Sequence, residues 1–299
     1  MKKQIAITSA ILAATSYSFA EIALTESLSV EGFVDMSYSD SDAGDSAFGI
    51  DQVEFDFLFN SAGAVSAQVD VQYGTTDVSG TTVNEAIIEQ AFVTYDLGGG
   101  SALTFGRFAS QLGFEDFEPT GLYQYSNAIS TRNLPGYDQG IKYTTGSLGV
   151  ALVDGVEGGT LGDGTGYSLE VAYSAELGEG LNGFIGARLN ENEDGEDSEV
   201  LNAYVTYETG AWLFAAEIAD SDDTVDATDY QVMANYTLSD ASSVTARYAV
   251  AEDAADAITF AYLTALADNL ALVAEVTQIS PDGAGDDVTT SAVELLFTF

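Results

Sequence analysis

The 299-residue chain contains no cysteine and no histidine. The first absence excludes disulfide bridges and thiolate metal sites, which suits an exported protein built without staples. The second removes the usual general base and the usual transition-metal ligand. Basic residues are scarce: 7 Lys and Arg stand against 48 Asp and Glu, a net charge of −41. Such a surface repels nucleic acid and attracts cations, divalent ones included. Exported proteins of salt-adapted organisms are acidic too, so charge alone assigns no role. Beyond the N-terminus no segment approaches the ~18 consecutive apolar residues of a spanning helix.

What is present begins with three short regions. Met1-Lys2-Lys3 is positive, Ile5 to Ala14 is apolar, and Thr15 to Ala20 is small and polar, ending Ser18-Phe19-Ala20. This order is that of a cleaved secretory signal. Residues 1–20 are therefore expected to be a signal peptide and residues 21–299 a single barrel domain. Without Lys2 and Lys3, five basic residues remain, Arg107, Arg132, Lys142, Arg188 and Arg247, and the net charge becomes −43.

Period-two alternation runs through the rest. From Gln52 to Asn60, Val53, Phe55, Phe57 and Phe59 fall on one face and Gln52, Glu54, Asp56 and Asn60 on the other. From Val65 to Tyr73 the valines, Ala67 and Tyr73 oppose Ser66, Gln68, Asp70 and Gln72. A helix would scatter both sets, whereas a strand separates them. The pattern predicts sixteen strands, at 28–38, 49–60, 63–73, 85–97, 101–108, 137–145, 147–154, 166–177, 183–190, 199–208, 211–219, 229–238, 243–251, 257–266, 270–279 and 289–299. The alternation is weakest in 101–108, 257–266 and 270–279, which leaves fourteen as the alternative count.

The connections alternate between tight and long. Tight ones fall at Ser61-Ala62, Gly98-Gly99-Gly100, Gly146, Gly178-Glu179-Gly180, Thr209-Gly210, Ser239-Asp240 and Asp268-Asn269, with longer acidic or Gly-rich ones between them. Aromatics collect near strand ends on the apolar face, including Tyr38, Tyr73, Tyr167 and Tyr230 at one end and Phe59, Tyr95, Tyr207, Trp212 and Tyr236 at the other. Short turns alternating with long loops, and two aromatic girdles, describe an all-β, antiparallel, up-and-down transmembrane barrel. The competing class is a soluble β-sandwich. It does not call for the final strand to end Phe297-Thr298-Phe299.

By this count residues 109–136 form the third external loop, the longest connection and rich in aromatics. A long segment without regular structure is usually functional. Around it the sequence resembles a family. The run Glu89-Gln90-Ala91-Phe92-Val93-Thr94-Tyr95, then Leu103-Thr104-Phe105-Gly106-Arg107-Phe108 and Leu112-Gly113-Phe114-Glu115, is similar to the corresponding stretch of Gram-negative porins. It resembles the OmpL-like beta-barrel porins and, more faintly, the phosphate-selective porins. The likeness covers about Glu89 to Val153 and recurs at Phe299.

The resemblance implies a water-filled channel in the outer membrane for passive diffusion of ions and small hydrophilic solutes. It implies that the third loop folds into the lumen, with Glu115, Asp116 and Glu118 as the acidic side of a constriction facing basic wall residues. The candidates for that wall are Arg107, Arg132, Lys142, Arg188 and Arg247. Lys142, Arg188 and Arg247 each alternate with apolar neighbours and so face the lumen, because a charge in mid-membrane on the lipid side costs roughly 2–4 kcal/mol. Arg132 lies in the loop. Arg107 is in phase with Leu103 and Phe105, so it faces inward only if a bulge reverses the phase; otherwise it lies just past the membrane.

Acids of the lumen phase (Glu31, Asp35, Glu54, Asp56, Asp70, Glu170, Glu208, Glu217, Glu275 and Glu294) outnumber those bases, which predicts a cation-favouring pore. A phosphate route needs several lining bases, so that selectivity is not carried over. Phe297 and Phe299 are expected to form the assembly signal for the barrel insertion machinery. The other expected partners are outer-membrane lipid and lipopolysaccharide, with a homotrimer as the candidate assembly. No cofactor, metal site or enzymatic activity is expected. The acidic runs Asp40 to Asp45, Glu191 to Asp197 and Asp220 to Asp226 lack the spacing of a calcium-binding hand. The alternative role is a structural or surface barrel with a plugged lumen.

Overall fold

The computed structural model describes residues 21–44, 46–74, 86–154, 166–192, 197–222 and 226–299. The expected signal peptide and the connections 75–85 and 155–165 lie outside them, as do parts of the three acidic runs. A two-residue strand β1 (Ile22–Ala23) precedes β2 (Leu28–Ser41), β3 (Ala47–Asn60), β4 (Val65–Gly74), β5 (Ala86–Gly98) and β6 (Ser101–Ala109). After two single-turn 3₁₀ helices, Pro119–Gly121 and Ile129–Thr131, come β7 (Tyr137–Thr145), β8 (Leu148–Asp154), β9 (Gly166–Gly178), β10 (Leu181–Asn192), β11 (Ser198–Thr209) and β12 (Trp212–Ser221). The chain finishes with β13 (Ala227–Ser239), β14 (Ser242–Ala251), β15 (Ala255–Ala267), β16 (Leu270–Pro281) and β17 (Val288–Thr298).

From β2 onward every strand pairs antiparallel with the next, and β17 returns to β2, with Leu296 opposite Asp35. The result is a closed barrel of sixteen strands, and all sixteen expected strands are present, the three weak ones included. Closure satisfies the backbone hydrogen bonds of every strand within the sheet, which a lipid environment demands. β1 adds one short pairing, Ile22 opposite Val30, and two residues are too few to show a period.

Alternation in the sequence becomes inside and outside. Phe55 and Phe57 are 43% and 39% exposed on the outer face, while Glu54 between its apolar neighbours is 2% exposed on the inner one. Trp212 lies against Tyr236 at 4.5 Å and Tyr38 against Phe48 at 4.6 Å, aromatic pairs at opposite strand ends. Tight turns use the backbone freedom of glycine: Gly146 and Gly210 adopt φ of 57° and 60°, where a side chain is strained.

Beside four register shifts next to tight turns, two irregularities interrupt the period within strands. Between β2 and β3 the register passes from Asp35↔Gln52 to Met36↔Ile50, leaving Asp51 extra. Between β4 and β5 it passes from Asp70↔Gln90 to Val71↔Ile88, leaving Glu89 extra. Each bulge turns an acidic side chain that a strict alternation would misplace.

Three buried apolar clusters lie between the inner wall and the segment 110–136. Leu112 packs with Ala172, Phe184 and Val200. Tyr123 packs with Leu213, Ala215 and Met233. Tyr125 lies against Ala261, Leu263 and Val273.

Candidate functional site

Polar contacts hold the long segment to the wall, and they follow the chain from strand to strand. On β9, Glu170 accepts the backbone N–H of Gln111 (2.8 Å) and the hydroxyl of Ser110 (2.6 Å). On β11, Asn202 Oδ1 accepts the N–H of Gly113 at 3.0 Å. On β12, Glu217 accepts the N–H of Phe114 at 2.7 Å, while Asn202 and Gln231 donate to the same carboxylate. On β16, Glu275 accepts the N–H groups of Tyr125 (2.9 Å) and Ser126 (3.1 Å) and the Ser126 hydroxyl (2.6 Å). The Tyr125 hydroxyl reaches Ser37 on β2 and donates to Asp51 on β3.

Three arginines are committed to ion pairs. Arg247 on β14 donates to Glu115 at 2.6 Å and to the carbonyls of Ser126 (2.8 Å) and Asn127 (3.2 Å). Arg132 holds Asp229 on β13 with two hydrogen bonds, of 2.8 and 2.9 Å. Arg188 on β10 pairs with Asp138 on β7, and its Nε donates to Asn190 at 2.8 Å. These are the ion pairs among the described residues. Lys142 has its ammonium 4.3 Å from the centre of the Phe108 ring, a cation–π contact.

The acidic trio expected on the loop divides by environment. Glu115 also accepts from Gln124 and from the Ala128 N–H. Its pairing with Arg247 is direct, not across an aqueous gap. Asp116 stays within the loop, accepting the Glu118 N–H, and burial raises its pKa. Glu118 faces β3 and β7, accepting from Gln52 (3.0 Å) and from the Tyr137 hydroxyl (2.9 Å). Burial and the neighbouring Glu54 push its pKa up to about 8. Burial also pushes Tyr123 and Tyr125 up to about 12.

Arg107 corrects the sequence reading. The register runs unbroken from Val93↔Phe105 to Ala91↔Arg107, so no bulge reverses the phase and Arg107 shares the outer face with Phe105. It does not belong to the basic inner wall. Its Nε donates to the Glu89 carbonyl at 2.8 Å, near the loop end of β6. There a charge on the outer face costs only ~0–1 kcal/mol, and a long side chain reaches toward the interface.

Sequence reasoning placed Glu170, Glu217 and Glu275 on the inner face but missed that they hold the loop. It gave no role in the site to Asp138, Asp229 or Glu89. Asp229 shares the phase of Gln231 and Met233, a signal that was readable. Glu89 sits on a bulge, where the period gives none.

No curated protein matches the chain in sequence. Among solved structures it is similar to OmpF of Salmonella typhi in complex with daunomycin, with a TM-score of 0.70 and 14% identity over 93% of this chain and 100% of that one. An anion-selective porin from Comamonas acidovorans superposes with a TM-score of 0.65 and 17% identity, covering 91% of this chain and 99% of that one. OmpT of Vibrio cholerae superposes with a TM-score of 0.63 and 12% identity, covering 93% and 100%. At such identities the likeness shows the fold. The family described as "Putative beta-barrel porin-2, OmpL-like" matches residues 27–293. With a closed sixteen-strand barrel, apolar outside and acidic inside, the chain belongs to this outer-membrane porin family.

Proposed function

We propose that the barrel is a cation-favouring channel for passive diffusion of ions and small hydrophilic solutes, narrowed by residues 109–136. One observation carries the reading. The bases Arg132, Arg188 and Arg247 are each cancelled by an acidic partner, so Lys142 is left to face inward acids such as Asp35, Glu170, Glu275 and Glu294. A low-dielectric wall focuses that surplus into a negative potential. In planar bilayers a KCl gradient at low salt should give a reversal potential of cation-preferring sign that shrinks as salt rises. The Debye length is only about 8 Å at 0.15 M, so distant charges are screened. A potential of anion-preferring sign would overturn the reading.

The second reading, a barrel closed by the same segment, is favoured by the depth at which Leu122, Tyr123 and Gln124 are buried. Absence of discrete conductance steps from correctly folded protein would select it.

Secretion through a cleaved signal at residues 1–20, and residence among outer-membrane lipid and lipopolysaccharide, complete the proposal. So does recognition of Phe297 and Phe299 by the insertion machinery. A Vibrio cholerae OmpT structure is recorded in trimer form, which supports a homotrimer here. Light scattering of the detergent-solubilised protein tests that assembly.

A further inference from the structure

Five carboxylates meet where β3, β4 and β5 pass the loop. Oxygens of Glu54, Asp56 and Asp70 lie within 4.8 Å of one another, and so do oxygens of Glu54, Glu89 and Glu118. Glu54 belongs to both triads. Asp56 and Asp70 are direct partners across the β3–β4 ladder, and Glu89 is turned inward by its bulge. Glu54, Asp56, Asp70 and Glu89 are each at least nine-tenths buried.

Neutral donors serve only part of this cluster. Gln68 and Gln90 both donate to Asp70 Oδ2, and Gln52 donates to Glu54 and Glu118. Asp56 Oδ1, Asp70 Oδ1 and Glu89 Oε2 are buried with no hydrogen-bond partner. No Lys or Arg side chain pairs with any of the five among the described residues, since Arg107 reaches only the backbone carbonyl of Glu89. Buried carboxylate oxygens at this spacing repel unless protons or a cation sit between them. With oxygen the only donor atom, the fitting ion is a hard divalent cation. Calcium suits it better than magnesium, because it tolerates six to eight oxygens in irregular geometry.

We infer that Glu54, with Asp56 and Asp70 on one side and Glu89 and Glu118 on the other, holds a divalent cation that fastens the loop to the β3–β5 wall. The site stands on the carboxylate geometry and does not require the pore to conduct.

Calcium and terbium binding to the full barrel refolded in detergent tests it, by calorimetry and by terbium luminescence sensitised from nearby tyrosines. The wild type should show a saturable component, and Glu54→Gln should weaken it by roughly tenfold or more through loss of the shared ligand. Asp240→Asn, in an exposed turn, should leave it unchanged. Weak binding to external acidic loops would persist in all three proteins and is not the component sought. If Glu54→Gln fails to fold, Glu118→Gln carries the test, because it removes a ligand from the loop and none from a strand. Calcium titrations of wild type and variant that superimpose would overturn the inference and mean that shared protons relieve the repulsion. That result would leave the conductance reading untouched, since reversal potentials are measured separately.

Discussion

Arg247 on β14 and Glu115 in the long connection meet at 2.6 Å, with side chains only 2% and 3% exposed. The pair is closed off from water on both sides, and Arg247 also grips two carbonyls of the same connection. Removing one partner strands the other.

Arg247→Ala should therefore be severe, costing about 3–5 kcal/mol, the usual price of an uncompensated buried charge. The expected readout is a lower unfolding temperature in detergent and a noisier single-channel record. The double variant Arg247→Met with Glu115→Gln should recover most of the loss. A single variant as stable as wild type would show that the contact contributes little.

Deleting Phe114 to Gln124 should raise single-channel conductance, because these residues lie against the inner faces of β11 to β13. Equal conductance from a folded deletant would mean that the segment does not narrow the route.

Neutralising Glu115, Asp116 and Glu118 together should weaken cation preference, read as a smaller reversal potential at low salt. Glu115→Gln alone should do more than its single charge suggests, since it releases the positive charge of Arg247. Measured above about pH 9, where Glu118 is ionised, an unchanged potential in Asp116→Asn with Glu118→Gln would mean that those two acids do not face the permeating ions.

Tyr123 and Tyr125 should ionise late, at about pH 12, because burial disfavours the phenolate. Both pKa values are raised on folding. The stability they contribute is thus complete below the ordinary value of 10.0 and is lost as the pH climbs through about 12. Absorbance at 295 nm should show a late step that Tyr123→Phe and Tyr125→Phe each reduce by one tyrosine. Loss of amplitude from the early step near pH 10 instead would place these rings in water.

Gly32→Ala should lower the unfolding temperature. A methyl there would come 2.2 Å from the Glu54 carbonyl oxygen and 3.0 Å from the Phe299 ring. Gly32 also exchanges both backbone hydrogen bonds with Phe299, at 2.9 and 3.0 Å, so the added carbon would press on the β17–β2–β3 seam. Overpacking of this kind costs about 1–3 kcal/mol. An unaltered melting profile would show that the strands part without penalty.

The barrel was legible because lipid and water impose opposite demands on alternate residues, and Phe55, Glu54 and their neighbours obey them one by one. Turn glycines such as Gly146 and Gly210 announced the hairpins. The bulges at Asp51 and Glu89 were not legible, since one extra residue leaves the local composition unchanged. Nor were the attachments of the long connection. Glu170 and Gln111 are 59 residues apart, and Glu275 and Tyr125 are 150 apart. No local pattern encodes a partner at that distance. Arg107 was ambiguous for a different reason: its phase in the strand points to one face and its charge to the opposite one, and only the β5–β6 register decides between them.

Five of the donors that seat the long connection are main-chain amides: those of Gln111, Gly113, Phe114, Tyr125 and Ser126. The receiving groups belong to the barrel. Part of the path of the connection is therefore written in the scaffold, while Ser110, Ser126, Arg132 and Asn133 fix other stretches with their own side chains. Evolution, or an engineer, can exchange side chains such as that of Phe114, whose amide is what Glu217 holds, without re-solving how that stretch is seated.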